Sequence, residues 1–381
     1  MRGIEKSSKE KMEYNFRWRF DPGEFSATLA HPPTIDPVDS EKLSRTADSA
    51  GRFPLRASVE GDKIAQFRRK QIVMVSPRVL LNTHGLRPLK RFGQNFLADP
   101  STSQMIVNRS RVGKEDVIVE IGAGLGALTI PLALAARRVY AIEKDRHLCD
   151  ILRGQLQAEE ISNVDVLEAD VLNLDIAGLT RQAGLPLTVF GNLPYNISSQ
   201  VVIRLIECRQ HVSRAVLMFQ RELADRLTAP PGGKEYGRIT AMLAYCASAK
   251  HLCHVGAKSF FPSPQVDSEV LEIRFTAADR HPPHDETRLF RLIGAAFGKR
   301  RKTLKNALVT SGLLINPHEV AQMLERAGIN PARRAETLSP EEFVALEISL
   351  SSFDLFIARS HNLDRETETD QLRRKAWRSR R

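Results

Sequence analysis

The 381-residue sequence predicts an α/β protein in which a parallel sheet, covered on both faces, is followed by a small helical domain. Three observations carry this expectation. From about residue 115 to 275, short β-rich runs alternate with amphipathic helical stretches, the pattern of βαβ units. After Phe275 the strand signal stops and helical periodicity continues alone. Residues 1 to about 85 are different again. Their interleaved charges and prolines, as in His31-Pro32-Pro33 and Asp36-Pro37, read as a disordered extension. The resulting scheme is an extension over 1–85, an α/β domain over 86–276, a helical domain over 277–360 and a basic tail over 361–381.

The elements follow in order. Val117–Ile121 is the first expected strand, and a helix over 127–136 comes next. Val139–Glu143 is the second strand, leading into a helix from Asp145 to about Gln157. Strands at 164–170, 187–192 and 215–219 continue the series, with a helix over 198–208 between the last two. Glu269–Phe275 closes it, and helices are expected at 285–309, 317–327 and 340–358.

Composition narrows the function classes. No apolar run approaches the roughly 18 to 20 residues needed to span a bilayer. A net charge of +11 points to a polyanionic partner. Cys149, Cys208, Cys246 and Cys253 are scattered, with no C-x-x-C pair. They argue against a disulfide framework or a zinc site and fit a reducing compartment. The N-terminal stretch has no apolar signal-peptide core, and Glu5, Glu10 and Glu13 do not suit an organellar transit peptide. Met74 is an alternative natural start.

Two motifs carry chemistry. Glu120-Ile121-Gly122-Ala123-Gly124-Leu125-Gly126-Ala127 links the first strand to the first helix, and its glycines allow a tight turn and close approach to a ligand. Glu143 stands twenty-one positions past Gly122, at the end of the second strand, where a carboxylate can accept both hydroxyls of a ribose. Together they indicate an adenosine-containing cofactor. Gly122-x-Gly124-x-x-Ala127 also fits the relaxed dinucleotide fingerprint, so a nicotinamide or flavin enzyme stays open. Asp170, ending the third strand, is placed to accept from an adenine amine, or else to cap a turn. The second motif is Gly191-Asn192-Leu193-Pro194-Tyr195-Asn196 after the run Leu187–Phe190. It reads as an ordinary Pro-Tyr turn, or as a corner where Asn192 and a backbone carbonyl accept from an exocyclic amine, Pro194 sets the turn and Tyr195 offers a stacking face.

Four segments in order then carry a likeness. Arg91-Phe92-Gly93-Gln94-Asn95-Phe96-Leu97, the glycine turn, the 191–196 corner and Phe260-x-Pro262-x-Pro264-x-Val266-x-Ser268 together resemble the ribosomal RNA adenine dimethyltransferase family, and within it the small-subunit branch. The likeness spans about residues 87 to 350, and Gly-Ala-Gly stands where many relatives have Gly-Pro-Gly. It implies a class I (Rossmann-like) S-adenosylmethionine-dependent methyltransferase sheet with a small C-terminal helical domain. The implied reaction puts two methyl groups on N6 of each of two adjacent adenosines near the 3′ end of small-subunit ribosomal RNA. By motif, Gln94, Asn95 and Leu97 would meet the cofactor from the N-terminal side. Gly122 and Gly124 would lie against its amino-acid portion, Glu143 would hold the ribose, Asp170 the adenine, and Asn192 the methyl-transfer point. Asn192 Oδ1 and the Leu193 carbonyl would accept the target amine, with Tyr195 and Phe260 on the two faces of the base. Lys299, Arg300, Arg301, Lys302 and Lys305, at the start of an expected helix, would contact RNA phosphates, aided by Lys90-Arg91 and the tail. Tyr236-Gly237-Arg238 reads as structural. No metal is expected. The expected partner is the immature small subunit, met by a cytoplasmic monomer. A large-subunit adenine methyltransferase of the macrolide-resistance type, and a non-catalytic assembly or mitochondrial transcription factor on the same fold, are the alternatives within the resemblance.

Overall fold

The computed structural model describes residues 75–350, apart from 90–92, 277–282, 284, 300, 312 and 314–316. Expectations for residues 1–74 (including Met74), for Lys90-Arg91, for Arg300 and for the tail beyond 350 lie outside these. The strands are β1 (Phe96–Leu97), β2 (Val117–Ile121), β3 (Arg138–Glu143), β4 (Val164–Glu168), β5 (Leu187–Asn192), β6 (Val212–Gln220), β7 (Ala247–Val255), β8 (Phe260–Phe261) and β9 (Ser268–Phe275). Seven of them form one sheet in the order β4-β3-β2-β5-β6-β9-β7.

The sheet is parallel from β4 to β6, but β9 runs antiparallel between β6 and β7. Central strands such as Val117–Ile121 and Leu187–Gly191 are buried along their length because elements cover both faces, so each reads as a near-continuous apolar run. β7 is absent from the sequence expectation for the opposite reason. Its residues Lys250, His251 and His254 are exposed on an edge strand, where charge replaces apolar patterning. No described helix is long and apolar enough to cross a membrane.

Topology places the site. β2 pairs with β3 on one side and β5 on the other, so the chain reverses its order of laying down strands beside β2. A crevice opens at the C-terminal ends of strands at such a switch point. Ile121 and Gly191 are partners in register, so the glycine turn and the 191–196 corner leave the sheet side by side.

Two sequence expectations need correction. The extension does not reach residue 85, because Pro77–Thr83 is a helix with Leu81 buried against a cluster containing Phe96, Leu125 and Leu148. Pro77 sits at its first turn, where a missing N–H costs nothing. The single helix expected at 285–309 is two, Glu286–Phe297 and Leu304–Val309. Between them Gly298 ends the first helix, Arg301 adopts a left-handed φ of 68°, and the Thr303 hydroxyl caps the second by accepting from Asn306 N. Only the part of the 340–358 helix up to Leu350 is described.

The C-terminal helices pack through aromatic pairs on the segment 236–246. Tyr236 meets Phe297 at 6.1 Å between ring centroids, and Tyr245 meets Phe290 edge-on at 5.8 Å. Arg288 and Glu347 form an ion pair buried inside this bundle, at 2.6 Å.

Candidate active site

A cavity of about 320 Å3 lies at the switch point, walled by the glycine turn, the strand-end acids, the 191–196 corner and the segment 93–97. The glycine turn is built from backbone geometry. Gly122 has a left-handed φ of 73°, which favours glycine, and its backbone lies against the Asn192 carbonyl. Gly191 is still more constrained, since a Cβ would lie 2.9 Å from the Ile121 carbonyl oxygen. The two glycines let β2 and β5 deliver their loops in close contact.

Glu143 anchors the next wall. Its Oε2 accepts from Gly124 N at 2.9 Å, and its Oε1 accepts from Lys144 N and Asp145 N at 2.8 and 3.0 Å. Burial pushes the carboxyl above its usual range, against those three N–H bonds, which favour the charged form. Oε1 is thereby filled, while Oε2 retains acceptor capacity for a further hydroxyl. Asp170 takes the capping role and adds an ion pair. Its Oδ1 caps the turn at Leu172 N (3.1 Å), while its Oδ2 holds Lys144 Nζ at 2.8 Å along the cavity wall. The Lys144 ammonium holds this carboxyl below the usual range, with the Leu172 bond assisting.

The 191–196 corner is locked from both sides. The Pro194 carbonyl accepts from Ile197 N and from the Ser198 hydroxyl, each at 3.1 Å. The Tyr195 hydroxyl pairs with Ser268 at 3.0 Å, so the ring is tethered at its far end while the residue lines the cavity. Asn192 Nδ2 donates to the Asn95 carbonyl at 2.9 Å. The hydrogen-bond network thereby orients the amide, leaving Oδ1 as an acceptor with no partner among the described residues. Leu193 is buried beside it.

The segment 93–97 reaches this corner because β1 pairs antiparallel with β8 and Ala98 N bonds to the Ser259 carbonyl. Gln94, Asn95 and Leu97 all line the cavity. Phe260 does not. It faces Leu97 across the ladder and is buried in the core with Val255 and Val270, away from the cavity. Its ring packs among these core side chains, while its register partner Leu97 reaches the cavity wall. Its expected place on a face of the target base is therefore not supported.

One cavity residue escaped the sequence reading. Glu120, on β2, is 2% exposed, and its Oε2 has no hydrogen-bond partner among the described residues. The neighbouring Thr129 hydroxyl falls short of bonding geometry but opposes the shift. Burial, aided by the Glu143 charge, still pushes the carboxyl up to about 8. A carboxylate inside an otherwise apolar strand was the available signal.

The basic cluster lies mostly within the helix break. Lys299, Arg301 and Lys302 are exposed in the 298–303 turn, not at a helix start, and Lys305 alone sits on the helix that follows. None of the four has an ion-pair partner among the described residues. Tyr236 is buried against Phe297, as its structural reading requires.

Comparison with known proteins agrees with this geometry. The profile of the ribosomal RNA adenine dimethylase family matches residues 86–352. Ribosomal RNA small subunit methyltransferase A of Desulforapulum autotrophicum is 46% identical over 279 residues, covering 73% of this chain and 98% of that protein. The protein of the same description from Myxococcus xanthus is 40% identical over 278 residues, covering 73% and 96%. Among solved structures, a dimethyladenosine transferase from Plasmodium falciparum has a similar fold, with a TM-score of 0.58, 24% identity and coverage of 68% of this chain and 98% of that one. The 23S rRNA methyltransferase ErmE follows at a TM-score of 0.52 and 25% identity, covering 68% and 100%.

Proposed function

Because the chain belongs to the ribosomal RNA adenine dimethylase family, we propose that it methylates N6 of two adjacent adenosines near the 3′ end of small-subunit ribosomal RNA, with S-adenosylmethionine as donor. The observation that carries the assignment of the site is the Asn192–Asn95 hydrogen bond, which leaves an amide oxygen free at the cavity wall. The small-subunit reading is favoured over the large-subunit one by identity of 46% to a small-subunit relative against 25% to ErmE.

The residues fit such a cofactor. Glu143 would hold the ribose, Asp170 the adenine amine, Gly122 and Gly124 the amino-acid portion, and Gln94, Asn95 and Leu97 the N-terminal wall. Glu120, buried with an orphaned oxygen, suits the cofactor's ammonium group. Bound there, S-adenosylmethionine supplies an activated methyl group. The protein's task is then mainly geometric, since an adenine amine is a weak nucleophile and the acceptor must be held in line. Asn192 Oδ1 and the Leu193 carbonyl accept the two N6 hydrogens, drawing the nitrogen toward tetrahedral geometry and stabilising charge that develops on it. Tyr195 stacks on the base, an interaction worth about 1–3 kcal/mol. The proton leaves to water. Lys299, Arg301, Lys302 and Lys305 contact RNA phosphates, and the reaction takes place where ribosomal subunits are assembled, in the cytoplasm.

The test incubates purified protein with S-adenosylmethionine and small subunits lacking the modification, then digests the RNA for mass spectrometry. Dimethyladenosine in small-subunit RNA is the expected product. Transfer to large-subunit RNA alone, or no transfer, would overturn the reading.

A further inference from the structure

A second cavity, of about 540 Å3, lies beside the first and plays no part in the mechanism above. It is formed by the end of β6 and the helix Arg221–Leu227, by Glu235, and by the loop Gln265–Asp267 that precedes β9. Its position is fixed by the sheet. Gln220 is the register partner of Ser268, and Ser268 carries the hydroxyl that tethers Tyr195. The Tyr195–Ser268 hydrogen bond thus stands between the two cavities, so whatever enters the second is a neighbour of the base stacked on Tyr195.

The lining says what kind of neighbour. Glu222, Asp225, Glu235 and Asp267 outweigh Arg221, which disfavours a phosphate. The amides of Gln220 and Gln265 have no hydrogen-bond partners among the described residues, and Val266 is exposed beside them. Carboxylates accept from exocyclic amines and Gln amides pair with base edges, while an apolar side chain covers a ring. Glu222 and Asp225 carry only helix-surface pairs, to Arg226 at 3.0 Å and to Arg221 at 3.9 Å, which are weak enough to exchange for a ligand.

We propose that this cavity is a subsite for the nucleobase next to the target adenosine, and that it selects a base bearing an exocyclic amine. The inference rests on the proposed RNA methylation. It accounts physically for action on an adjacent pair. One adenosine of the pair occupies the cavity while its neighbour is at Asn192.

The experiment uses the full chain and small subunits reconstituted with RNA in which one adenosine of the pair is cytidine or uridine. These two bases are similar in size and differ in their exocyclic amine. Methyl transfer to the remaining adenosine is measured as kcat/KM for both placements. In at least one placement the cytidine RNA is expected to react about ten-fold faster than the uridine RNA, the discrimination of one specific base contact. The double variant Asp225→Ala/Glu235→Ala, at positions outside the cofactor cavity, should bring that ratio near one by slowing the cytidine RNA. Equal rates for cytidine and uridine with the unaltered protein would overturn the subsite. So would a variant that slows both RNAs by the same factor. If the unaltered protein methylated none of these RNAs, nor the native adenosine pair, the reaction itself would be wrong and the subsite would fall with it.

Discussion

Replacing Glu120 with Gln probes the carboxyl buried behind the cofactor cavity. Folding raises this group from 4.5 to about 8, chiefly through burial. In the native state it therefore keeps a proton that the unfolded chain has already released. Its effect on stability is most favourable below pH 4.5, declines as pH rises from there to about 8, and is level beyond. At about 1.4 kcal/mol for each tenfold change in proton affinity, the full decline is on the order of 5 kcal/mol. By pH 7 on the order of 3 kcal/mol of it has accrued. Glu120→Gln preserves shape and hydrogen-bonding capacity without the titration. Urea unfolding without cofactor, from pH 5.5 to 8.5, should show the variant gaining on the wild type as pH rises. Cofactor reverses the preference, because an ammonium beside Glu120 favours its charged form. Between pH 6 and 7.5 the wild type should bind S-adenosylmethionine more tightly as pH rises and release a proton on binding. Calorimetry in two buffers of different ionisation enthalpy detects that proton. Parallel stability curves for the two proteins would refute the argument from burial, and proton release by the Gln variant equal to the wild type's would remove Glu120 from the site.

The remaining predictions concern the corner, the basic turn and the helical bundle. Asn192→Ala should lose most methyl transfer, on the order of 10²-fold or more, the scale of losing one preorganised hydrogen-bond partner at the reacting atom, while cofactor affinity is largely kept; unchanged turnover would refute the role. Substituting Lys299, Arg301 and Lys302 with Ala should lower the slope of log K against log salt for RNA binding by about 0.7–0.9 for each phosphate no longer neutralised, and an unchanged slope would show that the turn faces away from RNA. Glu347→Ala leaves Arg288 charged and buried, so chemical denaturation should show a loss of about 3–5 kcal/mol; a loss below about 1 kcal/mol would mean that water reaches the pair.

Much of this fold and site was legible in the chain, for local reasons. The strands Val117–Ile121 and Leu187–Asn192 are apolar runs because the sheet is covered on both faces, and their covering elements leave the same mark wherever they pack. The glycine turn and the strand-end acid follow from backbone geometry over a few residues. The edge strand Ala247–Val255 was not legible, since an edge tolerates the charged residues that mask a strand. The break at 298–303 was hidden because Phe297 and Leu304, on either side of the basic run, keep the phase of one helix.

What the sequence determined by itself is therefore the set of loops, their order and the chemistry each brings, because turn geometry and residue type are short-range properties. Tertiary structure decided which atoms are left unpartnered. Asn192 offers its oxygen because Asn95, 97 residues earlier, takes its Nδ2. Phe260 packs in the core with Val255 and Val270 instead of on the cavity wall, and burial on folding raises the Glu120 carboxyl. Such outcomes depend on hydrogen bonds and desolvation between segments distant in sequence, and they exist only once the chain has closed on itself.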